Sequence, residues 1–186
     1  MGILAGDALL NLAFETAAEA FAIEVSSRTA RAMQILARKA GIYGMIGGQV
    51  VDVESEGQPL SREKLNFIYR LKTSALIEAS MMIGAVLAGA SDEELAAVER
   101  VAGDVGLAFQ IQDDILDVTS TLEVLGKPIH SDDKNNKTTY VTLEGLDKAR
   151  ADVEAVSERA LETLRSLNYR NEFLEELIRM LITREK

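Results

Sequence analysis

Phe109-Gln110-Ile111-Gln112-Asp113-Asp114-Ile115-Leu116-Asp117 sets three carboxylates into an otherwise apolar stretch. On a helix, successive side chains advance by about 100°. Gln110, Asp113, Asp114 and Asp117 therefore share one arc roughly 100° wide, with Ile111, Ile115 and Val118 pointing elsewhere. Like charges at this spacing repel, and burying them unpaired costs far more. Most acidic runs are simply solvated faces. The preceding Val101–Phe109 segment, however, is small and apolar, as in a buried helix. A buried acidic triad needs a counter-charge, and a hard divalent cation with oxygen ligands suits it best.

The rest of the chain must build the surroundings of that helix. Its 186 residues suffice for one domain with a sizeable core, and a single helical domain over residues 1–186 is expected. Aromatics make up only 5 %, Pro occurs twice, and Ala, Leu and Glu abound, which favours an all-α fold. A net charge of −10 argues against non-specific nucleic-acid binding. With no Cys, there is no disulfide or thiol chemistry to consider. The start of the chain has no signal-peptide pattern. Its longest apolar run, Ser80–Ala90, is too short to span a bilayer, so no transmembrane segment and a cytoplasmic location are expected.

Residues 3–25 are apolar nearly all round, the pattern of a helix buried on several sides. Ala30, Met33, Leu36, Ala37 and Ala40 form a helical stripe that Gly41 can stop. Gly44, Gly47 and Gly48 would weaken a helix, so they point to close backbone packing. Residues 54–59 read as a loop. Ser61 can cap a helix reaching about Ala90, and Ser91 with Glu94 forms a capping box ahead of the acidic helix. Residues 119–137 read as a polar loop, and amphipathic helices start near Leu146 and Asn171. No stretch alternates like a strand.

Two further features carry cations. The polar loop holds Lys127, Lys134 and Lys137, point charges suited to phosphate oxygens; taken alone, a solvated loop explains them better. Lys72-Thr73 interrupts an apolar helical face, where a lysine either snorkels or serves a site. His130 is the only histidine, which leaves no basis for a His-rich zinc site or a Ser-His-Asp triad. No Walker-type phosphate loop is present.

Taken together and in order, Gly6-Asp7-Ala8-Leu9-Leu10, Gly47-Gly48-Gln49-Val50-Val51-Asp52, Lys72-Thr73, Phe109–Asp117, Gly126-Lys127 and Asp132 through Lys137-Thr138-Thr139-Tyr140 resemble the C-terminal part of the trans-polyprenyl diphosphate synthases, above all the bacterial farnesyl diphosphate synthases. The resemblance implies an isoprenoid-synthase-type helical bundle lacking its N-terminal helices. It implies a magnesium-dependent prenyl transfer by ionisation, condensation and proton loss, with an allylic diphosphate and isopentenyl diphosphate as substrates. Asp113, Asp114 and Asp117 match the second aspartate-rich motif, and Asp132 matches an outer aspartate of the metal cluster. Lys72, Lys127 and Lys137 match lysines that hold the allylic diphosphate. Thr73 and Gln110 match polar residues along the cation's path, and Gln49, Asp52 and Phe109 match residues facing the substrate. A homodimer is implied, with the helix at residues 3–25 at its interface.

The resemblance also sets limits. The family's first aspartate-rich motif precedes the segment matching Gly6–Leu10, and these 186 residues contain none. The sequence is therefore expected to be a C-terminal portion, whether truncated, proteolysed or a short reading frame from Met1. Alone it is expected to have little or no prenyltransferase activity and to expose apolar surface on its first helix and on the triad helix. His130 stands where glycine is common in the family. A non-catalytic subunit of a heteromeric synthase is the alternative, and a terpene cyclase is a weaker one.

Overall fold

The computed structural model describes residues 1–120 and 137–184, and the regular structure among them is helical throughout. Helix α1 spans Gly2–Ile23, α2 Ser27–Ala40 and α3 Met45–Glu54. Helix α4, Arg62–Ile68, runs through a π-helical stretch, Tyr69–Ser74, into α5, Ala75–Ala88. Helix α6 covers Asp92–Thr119. Helices α7, Tyr140–Glu144, α8, Leu146–Arg165, and α9, Glu172–Thr183, follow.

Local chemistry sets most of these ends. Ser61 accepts the Lys64 amide at the start of α4. Ser91 and Glu94 cap α6 reciprocally, and Asn171 accepts the Leu174 amide at the start of α9. Gly41 ends α2. Asp92, Glu93 and Glu94 lie in the first turn of α6, where the helix dipole favours negative charge.

Helix α6 is the axis of the bundle, with α8 along one side and α5 and the π stretch along the other; α2 packs outside α5. Leu65, Ile68, Val101, Val105, Ile111, Ala160 and Ile178 form the centre of the core. Each large aliphatic side chain fully buried there contributes about 1.5–3 kcal/mol. Two glycines permit close approaches. A Cβ at Gly106 would lie 2.3 Å from Ser74 Oγ, and one at Gly48 would lie 2.3 Å from the Lys72 amide nitrogen. The glycines of α3 thus serve close packing against the π stretch, as expected.

Three expectations need correction. Helix α1 is not buried on several sides. It has no buried residue and leans on α2, leaving Leu4 64 %, Leu9 68 % and Leu12 54 % exposed. The triad helix, in contrast, exposes no large apolar side chain; α5, α8 and α9 cover it, and Ile111, Ile115 and Leu116 are buried. The third correction concerns membrane-spanning length. Because α4, the π stretch and α5 form one continuous helix, Arg62–Ala88 is long and apolar enough to cross a bilayer, with a mean hydropathy of 1.4 over its most apolar stretch, 33 % of which is buried here. Ser80–Ala90 is only part of that helix.

Candidate active site

The π stretch decides where its side chains go. A π turn holds one more residue than an α turn and is common at functional sites. Here the Ser74 hydroxyl donates to the Tyr69 carbonyl five residues back, at 3.3 Å. The turn sends Lys72 towards α3, Thr73 towards α6 and Tyr69 into the core. Lys72 pairs with Asp52, whose other oxygen lies 3.9 Å from Lys137 Nζ. Gln49, Asp52, Leu60, Lys137 and Thr138 line a cleft of about 270 Å³. The Thr73 hydroxyl lies 3.0 Å from Gln110 Oε1 and donates to it. Gln49, Asp52, Lys72 and Lys137 are therefore brought together, with Thr73 and Gln110 on the adjoining face of α6.

The three aspartates of α6 have three different surroundings. Asp113 is the most exposed, its side chain 35 % accessible, and its Oδ1 lies 3.1 Å from the Arg184 guanidinium. That guanidinium stacks 3.7 Å from the Phe109 ring centroid, and Gln112 donates to the Arg184 carbonyl at 3.2 Å. Asp114 is only 4 % exposed. Its Oδ2 accepts the Tyr69 hydroxyl and, at 2.7 Å, the Tyr140 amide, while Gln110 Nε2 lies 3.4 Å from its Oδ1. Asp117 is buried, and its Oδ2 has no hydrogen-bond partner among the described residues.

A buried carboxylate oxygen without a donor costs free energy unless a cation reaches it. The oxygen-only donors at Asp113 and Asp117 therefore fit a hard divalent ion. Among the described residues, no group of three or more His, Asp and Glu side chains is gathered into a metal shell. The single arc on the helical wheel is real, but Asp114 is turned inward and Asp113 outward. Lys127, Lys134, His130 and Asp132 lie outside the described residues.

The segment that follows is anchored at several points. Thr138 Oγ1 accepts the Leu60 amide at 3.2 Å, and Thr139 caps α7. The Tyr140 hydroxyl donates to Asp152 at 2.8 Å and accepts from Arg62 at 3.0 Å. Lys148, foremost, with Tyr140 and Arg62 assisting against partial burial, holds the Asp152 carboxyl below its ordinary 3.8.

The polyprenyl synthetase family model matches residues 1–178. The chain belongs to the polyprenyl synthetase family. A heterodimeric geranylgeranyl pyrophosphate synthase large subunit 1 of Arabidopsis thaliana is 43 % identical over 169 residues, covering 88 % of this chain and 46 % of that protein. A farnesyl diphosphate synthase of Geobacillus stearothermophilus is 40 % identical over 167 residues, covering 89 % of this chain and 56 % of its own length. Among solved structures, a geranyltransferase of Helicobacter pylori complexed with magnesium and isoprenyl diphosphate superposes with a TM-score of 0.80 at 35 % identity, over 97 % of this chain and 58 % of that one. The chain spans about half the length of the curated relatives it matches. These neighbours share the isoprenoid-synthase helical bundle expected from the sequence.

Sequence reasoning missed Tyr69, Tyr140's contacts and Arg184. An isolated tyrosine on an apolar helix face reads as core, and Arg184 meets Asp113 across 71 residues. No local pattern announces either contact.

Proposed function

We propose that the protein to which this chain belongs is a prenyl diphosphate synthase that joins an allylic diphosphate to isopentenyl diphosphate with magnesium. The convergence of Lys72 and Lys137 on Asp52, beside Thr73 and Gln110, carries this reading. Two ammonium groups at one carboxylate form a preorganised anion site at low cost in reorganisation. In the reaction, the allylic C–O bond breaks and the diphosphate leaves with the electron pair. The double bond of isopentenyl diphosphate forms the new C–C bond, and a proton is then lost.

Lys72 and Lys137 would meet the leaving diphosphate, with Lys127 joining them, and Asp52 keeps the two lysines in place beforehand. The Thr73 and Gln110 dipoles would line the developing allylic cation. Gln49 would orient the substrate from the cleft, and the Phe109 ring offers a π face beside it. Asp113, Asp117 and Asp132 are the carboxylates assigned to magnesium, which, when bound, supplies positive charge for the leaving diphosphate. A homodimer joined through α1 and a cytoplasmic location belong to the same reading. A polypeptide of these 186 residues alone is proposed to turn over little, because it carries a single aspartate-rich motif.

The test is magnesium-dependent condensation of geranyl and isopentenyl diphosphates, on material whose intact mass is known. Lys72→Ala and Asp113→Ala in a protein with both aspartate motifs should each lower turnover by about 10²-fold or more. Near-normal turnover in either variant would remove that residue's assigned role. A second reading, a subunit of a heteromeric synthase, is favoured by the heterodimeric relative. Product formation only after mixing with a partner protein would support it.

A further inference from the structure

We propose that Asp114 is a positioning residue, which docks the Lys137–Tyr140 segment onto the triad helix and leaves metal binding to Asp113 and Asp117. This inference rests on the reading above only for the metal half of the statement.

The argument starts from what a carboxylate can accept. Its two oxygens offer about four acceptor sites, and it has no donor when ionised. At Asp114 these sites face three donors from three elements: the Tyr69 hydroxyl of the π stretch, the Tyr140 amide at the start of α7, and the Gln110 amide of α6 itself. Hydrogen bonds to an ionised acceptor are the strong ones, and together they compensate for a burial that leaves Asp114 only 4 % exposed. An ion reaching Asp114 would have to displace those donors and leave the Tyr140 amide buried without an acceptor. Asp117 Oδ2 presents the opposite case, a buried acceptor to which no described residue donates.

The consequence lies three residues before Tyr140. Lys137 stands 3.9 Å from Asp52, opposite Lys72. Tyr140 is fixed on one side by Asp114 and on the other by Asp152 and Arg62. Tyr69 lies three residues before Lys72 in the same π stretch. The buried Tyr69–Asp114–Tyr140 link thus ties together the segments that carry the two lysines of the cleft.

The experiment measures two quantities in the protein and its variants: hydrogen exchange at the Tyr140 amide, and Mn²⁺ affinity by paramagnetic resonance. Asp114→Ala should speed Tyr140 exchange at least about tenfold by removing its acceptor. Asp114→Asn keeps one acceptor oxygen and should restore exchange to within about threefold of the original, with Mn²⁺ affinity also within about threefold. Asp117→Asn should lower Mn²⁺ affinity about tenfold or more and leave Tyr140 exchange unchanged. Tyr69→Phe, a milder change that guards against misfolding, should speed Tyr140 exchange a few-fold. The proposal is overturned if Asp114→Asn weakens Mn²⁺ binding as much as Asp117→Asn does. It is equally overturned if neither Asp114→Ala nor Tyr69→Phe alters Tyr140 exchange. If the protein with both aspartate motifs binds no Mn²⁺, the metal reading fails, and Tyr140 exchange alone decides the docking role.

Discussion

Replacing Arg184 by alanine removes the guanidinium that lies 3.1 Å from Asp113 and covers the Phe109 ring. A divalent ion and a guanidinium compete for the same carboxylate, so Arg184→Ala should raise Mn²⁺ affinity a few-fold, more at low salt. Unchanged or weaker binding would show that Arg184 does not compete. The Asp152 carboxyl gives a pH prediction. Its native value lies below 3.8 because Lys148, Tyr140 and Arg62 favour the charged form. Its stabilisation is therefore complete above the unfolded value and is lost as the pH falls through the native one. Unfolding midpoints from about pH 6 down to about pH 2 should converge for the original protein and Asp152→Asn at the acid end. Residues such as Lys72, Thr73 and Gln110 were legible because a polar group at helical spacing on an apolar face stands out. Tyr69 was not, since its hydroxyl finds Asp114 only across 45 residues of chain.

Helices were legible where a cap or a glycine marks the end. Ser91 and Glu94 announce α6, and the structure forms both of their hydrogen bonds. Ser91→Ala should cost about 1 kcal/mol in denaturant unfolding, with the slope unchanged. The π stretch has no such marker. An extra residue within a helix alters neither composition nor hydrophobic period enough to read, and only the packing of α3 and α6 against it reveals it. Gly48→Ala tests that packing. A Cβ there would lie 2.3 Å from the Lys72 amide nitrogen and 2.7 Å from Leu71 Cβ. Backbone must shift, and a loss of roughly 1–3 kcal/mol is expected in the same unfolding experiment. A neutral outcome would mean that α3 can slide on the π stretch at little cost.

The all-helical bundle was readable from composition and periodicity, but the exposure of its first helix was not. Apolarity on all sides says that a helix wants cover without saying from which chain it comes. Helix α1 keeps Leu4, Leu9 and Leu12 exposed, a continuous apolar surface of the kind that marks interaction. Leu9→Glu with Leu12→Glu should shift sedimentation towards smaller species while leaving helical content intact. Unchanged association would place the contact elsewhere. The polar network has a different consequence, for the order of assembly. Capping boxes close within four residues, whereas Tyr69–Asp114, Asp114–Tyr140 and Leu60–Thr138 span 45, 26 and 78 residues. Helices can therefore form early from local contacts, but the lysine cleft must wait for distant segments to meet. The same arithmetic runs in reverse on mild destabilisation: the chemistry should melt away while the cylinders that support it are still standing.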